Sequence, residues 1–400
     1  MENNGIKERR ELWGNISLFA ACVILTLSLW NEYRWYEAVV PYATLISFVF
    51  LTVTFFCYVP VKKAVYDRYF LMIAAACAVA AVNLFIVNSG KGAWLTAADV
   101  LLVVYLADKV RLSRTFTGLF IAYTGFYFFY WTYDVKGYFK GYNTNYGGLV
   151  LITGFVFAVT GFIGLHEILK RSETAGARFL FGFILFMFAW GYNIIAWYRA
   201  RCALLGLVVF AVFVLIPARF WKNRIFYTAA ILFVTVGAIA ISLVYVWLGR
   251  SVASLGVRIF YKDIISGRDE IWSDLWSAYL KSPITGIGSS YRINVDWMDG
   301  MFEVHNGLLD ILIVHGVLVF AVVLILLIRC LWRLREAVAI SVISRSAVSG
   351  VFAILAASFM ENFFIVPPFL LLTLALIAIA GSVCYNETSN EKEIRQSGEE

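Results

Sequence analysis

Two arginines and one histidine offer the most distinctive chemistry in this 400-residue chain. Arg201 opens the apolar run Cys202-Ala203-Leu204-Leu205, Arg268 follows Gly267 at the start of a short amphipathic stretch, and His305 stands beside Asn306 just ahead of another apolar run. A guanidinium stays protonated and grips phosphate through two parallel N–H donors. Two of them near one cavity would suit a pyrophosphate-bearing lipid. An imidazole, with an ordinary pKa of ~6.5, is the best available general base near neutral pH. Each has a plainer reading as well. Arginines at a membrane boundary snorkel to headgroups, which fits Arg199, and a lone boundary histidine can be structural. Of the three histidines, His166 lies beside Lys170 and His315 lies inside an apolar helix, where packing is the simpler role.

Other polar groups sit close to these in the pattern. Asn143-Thr144-Asn145-Tyr146 precedes an apolar run, and Glu303-Val304-His305-Asn306 leads into Gly307 and Asp310. Gly286-Ile287-Gly288-Ser289 could present backbone N–H groups to an anion. Asp296 and Asp299 are three apart, but in a Gly-containing loop they read as solvated. No Asp-x-Asp pair and no His/carboxylate cluster has metal-ligand spacing, so neither a metal nor a cofactor is expected. The six Cys are scattered without a CxxC pair and read as small hydrophobes.

These residues need elements to hold them. Hydrophobic residues make up 62% of the chain and charged ones only 15%, against roughly 25% charged in soluble domains. Lipid can solvate such a surface and water cannot, so a polytopic integral membrane protein is expected, all-α, with about twelve transmembrane helices. Apolar runs place them near 14–31, 39–60, 69–87, 95–108, 115–132, 149–165, 179–197, 202–218, 226–248, 306–328, 338–358 and 365–385. The first run is close to full spanning length and lacks a small-residue cleavage site, so it reads as a retained helix.

The net charge of +7 would suggest nucleic acid in a soluble chain, but here its placement matters more. Lys62-Lys63, Lys109, Arg111, Lys170-Arg171, Lys222, Arg329 and Arg333 fall in alternate gaps, together with the basic N-terminus and the tail. The positive-inside rule then makes both termini cytoplasmic. The opposite, outer side receives 133–148 and the long loop 249–302. Within that loop, Ile271, Trp272, Leu275, Trp276 and Tyr279 recur at helical spacing after Ser266-Gly267-Arg268-Asp269, and Pro283 closes the run. An amphipathic helix of this kind would lie on the membrane or lid a cavity. The organisation expected is an N-terminal bundle of about nine helices over 1–248, an extracytoplasmic loop over 249–305, C-terminal helices over 306–385 and a cytoplasmic tail over 386–400.

On these residues the chain resembles the O-antigen ligase/O-antigen polymerase superfamily of bacterial envelope glycosyltransferases. The likeness is sharpest over about 137–206 and 262–320. Gly137 through Asn145 looks like the family's outer-loop segment. Arg201-Cys202-Ala203-Leu204-Leu205 looks like its Ser-Arg-x-Ala-Leu-Leu stretch, with Ala200 where Ser is usual. Gly267-Arg268, Ile271-Trp272, Pro283 through Gly288, His305-Asn306 and Gly316 follow its C-terminal block in order. The resemblance implies a metal-independent enzyme at the outer face of the inner membrane. It would move a glycan from an undecaprenyl-pyrophosphate carrier to a lipid A core or a glycan repeat unit. Carried across, Arg201 and Arg268 would hold and stabilise the pyrophosphate, and His305 would take the acceptor proton. Asn145, Arg199, Asn306, Gly286 and Gly288 would line the substrate. No nucleic-acid partner is expected. A multi-helix transporter or flippase is the alternative, and it predicts broken helices with polar residues near the midplane. An acyltransferase would need His305 on the other face.

Overall fold

Long apolar runs become helices because a helix satisfies every backbone hydrogen bond within its own segment, which lipid demands. The computed structural model describes residues 4–26, 34–87, 89–133, 154, 200–251, 258–259, 262–263, 265–298 and 300–397. In chain order the helices are α1 (Asn4–Thr26), α2 (Arg34–Val39), α3 (Ala43–Tyr58), α4 (Val61–Ala64), α5 (Arg68–Ile86), α6 (Lys91–Leu106) and α7 (Arg114–Tyr133). They continue with α8 (Arg201–Leu215), α9 (Ala218–Lys222), α10 (Arg224–Thr235), α11 (Gly237–Ser251) and α12 (Arg268–Tyr279). The last are α13 (Gly307–Arg333), α14 (Arg335–Ile340), α15 (Val342–Ala357) and α16 (Pro367–Ser397). Two-residue strands, β1 (Arg258–Ile259) and β2 (Lys262–Asp263), pair antiparallel in the loop before α12.

The expected helices thus coincide with observed ones wherever residues are described; 149–165 and 179–197 lie outside them, apart from Gly154. By length and composition, Glu37–Tyr58, Arg68–Ile86 and Gly307–Ile340 can each cross a membrane among the described residues. The expected 226–248 helix is two, α10 and α11, bent by 55° at Val236, and counts as a fourth span if taken together.

Helix α13 is the axis of the site. Asn306 caps its start, with Oδ1 accepting from Leu309 N–H at 3.1 Å. Midway, Gly316 leaves helical geometry at φ 81°. Ile284 of the loop between α12 and α13 packs there so closely that a Cβ on Gly316 would meet its carbonyl oxygen at 2.0 Å. The carbonyls released by the kink find new donors: Ile287 N–H reaches Ile313 O at 2.8 Å and Gly288 N–H reaches Val314 O at 3.2 Å. At the far end of α13, Arg329 and Arg333 both donate to Asp108. The 27 residues of α13 amount to a path of about 40 Å along the helix, bent at Gly316.

The amphipathic helix α12 turns its stripe onto protein. Ile271, Trp272, Leu275 and Tyr279 are buried, and Trp272 is fully enclosed. Its indole Nε1 donates to Val304 O at 2.7 Å, and that of Trp276 donates to Ser242 Oγ of α11 at 3.1 Å. The helix is therefore fastened across α11 and the 304 segment rather than laid on lipid. It brings its own first residue, Arg268, over the start of α13.

Candidate active site

The turn before α12 aims Arg268. Ser266 and Gly267 both have positive φ, at 53° and 74°. A Cβ at Gly267 would meet Trp297 Cζ2 at 2.5 Å, so the close approach as well as the φ requires glycine. Arg268 then occupies the first helical position, where a cation opposes the helix dipole. The offsetting partners come from the short connection between α15 and α16. Arg268 Nη2 donates to Met360 O at 2.8 Å and to Glu361 Oε1 at 3.0 Å. Its Nε is buried and has no hydrogen-bond partner among the described residues, leaving one guanidinium donor open there.

Glu361 also reaches His305. Its Oε2 lies 3.4 Å from Nδ1, while Glu303 Oε2 lies 3.0 Å from Nε2. His305 has φ 54°, a left-handed conformation uncommon outside glycine and asparagine that is held by the capped helix start following it. Burial works against a charge on this ring, but hydrogen bonds from Glu303 and Glu361 outweigh it and push the pKa up to about 9. Arg268 opposes that rise weakly. The Glu303 carboxyl is held below its usual range, chiefly by its hydrogen bond with His305. The resting imidazole is therefore an imidazolium at neutral pH, and not the free base that an ordinary histidine would supply.

Arg201 starts α8 and joins the same group. Its Nη2 donates to Ser266 Oγ at 2.6 Å, two residues ahead of Arg268. Cys202 beside it lies within electrostatic range of both Glu361 and Arg268. Arg268 and His305, far apart in sequence, thus meet at Glu361, and Arg201 holds Ser266 in the turn that aims Arg268. Among the described residues, no group of three or more His, Cys, Asp or Glu could hold a metal ion.

Three of the residues expected to line substrate make hydrogen bonds within the protein. Asn306 is fully buried; besides capping α13, its Nδ2 donates to Ala238 O at 2.7 Å, so both ends of the amide serve the protein. The glycine amides are likewise spent internally. Gly286 N–H donates to Ser282 O at 2.9 Å, Gly288 N–H to Val314 O, and Ser289 N–H to Ser89 Oγ at 2.9 Å. The kinked helix takes the Gly288 donor, and Ser282 takes that of Gly286. Asn145 and Arg199 lie outside the described residues.

Glu361 escaped sequence reasoning because it belongs to no motif. A signal was present nonetheless: it is the sole Asp, Glu, Lys, Arg or His between Arg345 and Glu387, and an isolated carboxylate in an apolar stretch points to function.

Residues 156–324 match the family model described as O-antigen ligase. The chain carries an O-antigen ligase-family domain. That domain contains Arg201, Arg268 and His305, and ends before Glu361. The match and the apolar helices support a membrane protein with O-antigen ligase-type glycan transfer. No curated protein and no solved structure matches the chain.

Proposed function

We propose that this protein transfers a glycan from an undecaprenyl-pyrophosphate carrier to an acceptor hydroxyl, on a lipid A core or a glycan repeat unit. The reaction takes place at the outer face of the bacterial cytoplasmic membrane, in a bundle of twelve spans with both termini inside. The observation that carries this reading is the buried, partnerless Nε of Arg268 beside a second arginine and a histidine. A guanidinium with a spare donor in a sheltered site fits a phosphate oxygen that arrives with the donor lipid.

In the proposed reaction the acceptor oxygen forms a bond to the sugar's anomeric carbon from the face opposite the leaving group. The anomeric C–O bond to phosphate breaks, and the electron pair leaves with the pyrophosphate. Arg268 and Arg201 stabilise that developing charge. Glu303 is 59% exposed in its side chain and is displaced when the acceptor hydroxyl takes its place at Nε2. With that partner gone, the His305 pKa falls and the Nε2 proton passes to bulk water; the neutral Nε2 then accepts the acceptor proton while Glu361 steadies Nδ1–H.

The broken helices at Val236 and Gly316 would also suit a transporter. At Gly316, however, the freed carbonyls are satisfied by the 286–288 loop and are not left for an ion. The deciding experiment incubates purified protein with lipid-linked glycan and acceptor in EDTA. Conjugate and free undecaprenyl pyrophosphate should form together. Lipid-linked glycan moved across proteoliposomes without acceptor turnover would overturn the proposal.

A further inference from the structure

About 40 Å from His305 along α13, beside the Asp108 cluster, lies a cleft of about 630 Å³. It opens between the start of α1, the end of α3, the connection that includes Lys109 through Ser113, and Ser382 of α16. Hydrogen bonds tie its walls: the Tyr58 hydroxyl donates to Arg111 O at 2.8 Å, and Leu112 N–H donates to Ser382 Oγ at 3.2 Å.

Both signs of charge line it. Lys109 and Arg111 come from one wall, Lys7, Glu8 and Glu11 from α1. Arg111 donates from Nη1 to Val110 O at 2.9 Å, and among the described residues no carboxylate lies within ion-pair distance of it. Opposite, Asn15 is 3% exposed; its Nδ2 donates to Glu11 O at 2.9 Å, and its Oδ1 is buried with no donor. A buried acceptor left open in this way calls for an N–H or O–H from outside the protein. The cleft therefore offers cations for a phosphate on one side, and carboxylates with an open acceptor for a charged N–H donor on the other. Leu12 and Leu112 supply an apolar edge, and the exposed Trp13 lies next along α1, as aromatic side chains do at a membrane boundary.

We propose that this cleft binds the phosphoethanolamine headgroup of a bilayer phospholipid. The phosphate lies at Arg111, since Lys109 is already paired with Asp108 at 3.1 Å and Asp67 at 3.7 Å, and the ammonium lies at Glu8, Glu11 and Asn15 Oδ1. A choline headgroup carries the same charges but has no N–H for Asn15. A glycerol headgroup has donors but no cation for the two glutamates. The site is separate from the glycan-transfer centre and does not rest on that reading.

The test measures thermal stabilisation of the full-length protein in detergent by phosphatidylethanolamine, phosphatidylcholine and phosphatidylglycerol of matched acyl chains. Soluble phosphoethanolamine and inorganic phosphate form separate arms. Phosphatidylethanolamine should stabilise most, and soluble phosphoethanolamine weakly. Asn15→Leu and Arg111→Gln should each weaken the lipid by about tenfold, the size of one lost charge-assisted or buried hydrogen bond. Lys62→Gln, outside the cleft, should change nothing. Should Asn15→Leu fail to fold, the more exposed Arg111→Gln carries the test. Equal stabilisation by phosphatidylcholine, an effect of inorganic phosphate matching the lipid's, or an unchanged Arg111→Gln would each overturn the proposal.

Discussion

Glu361 and Arg268 stand 93 residues apart in the chain, and their side chains meet at 3.0 Å. The same carboxylate turns its other oxygen to His305. One acidic residue thus holds both the cation proposed to face a leaving group and the ring proposed to handle a proton. Its loss should disturb both halves of the reaction.

Glu361→Gln keeps the shape and most hydrogen-bonding capacity but removes the charge. Glycan transfer should fall by ~10²-fold or more, as when a preorganised electrostatic partner is lost, while membrane insertion persists. Initial-rate assays on the purified variant check this; near wild-type turnover would make Glu361 a bystander.

The histidine gives a pH signature with a definite sign. Its folded value of about 9 stands above the ordinary 6.5, so the imidazolium contributes stability in full below pH 6.5. That contribution disappears as pH rises through about 9. The Tm difference between wild type and His305→Gln should shrink over this window. In kcat/KM, which reads the free enzyme, the wild-type rate should climb toward pH 9. Glu303→Gln should move that limb to lower pH. A profile identical in the two proteins would remove Glu303 from the account.

Arg268→Lys should remain impaired by ~10²-fold, because an ammonium cannot reproduce a fork that grips Met360 O and Glu361 while leaving Nε for phosphate. Arg201→Lys should lose less, provided that the Ser266 contact survives in the lysine. Parallel assays of the two variants at saturating donor lipid make the comparison. Full activity in Arg268→Lys would mean that the residue only steers charge.

Gly316→Ala tests the kink. The added carbon would fall on the Ile284 carbonyl, at a φ that L side chains rarely adopt. Destabilisation of a few kcal/mol is expected, read as a lower Tm with reduced activity. A variant as stable as wild type would show that the loop 283–288 can release the helix freely.

The apolar runs by themselves determined where helices form, because in lipid a segment that long has no other way to satisfy its backbone. They located α3, α5 and α13 to within a few residues, and the motif residues Arg201, Arg268 and His305 were visible as types and spacings. Helical periodicity likewise exposed the stripe of α12. Only the tertiary structure decided what that stripe covers: protein, through Trp272 and Val304. It also revealed that the amides of Ile287 and Gly288 serve a kinked helix, and that Asn306 braces Ala238. Above all it brought in Glu361, whose partners lie 56 and 93 residues away. Hydrophobicity and helical period are local properties that a sequence carries in full. The charge state of His305 depends on which carboxylates pack against it, and packing between distant segments is written in no single stretch of the chain.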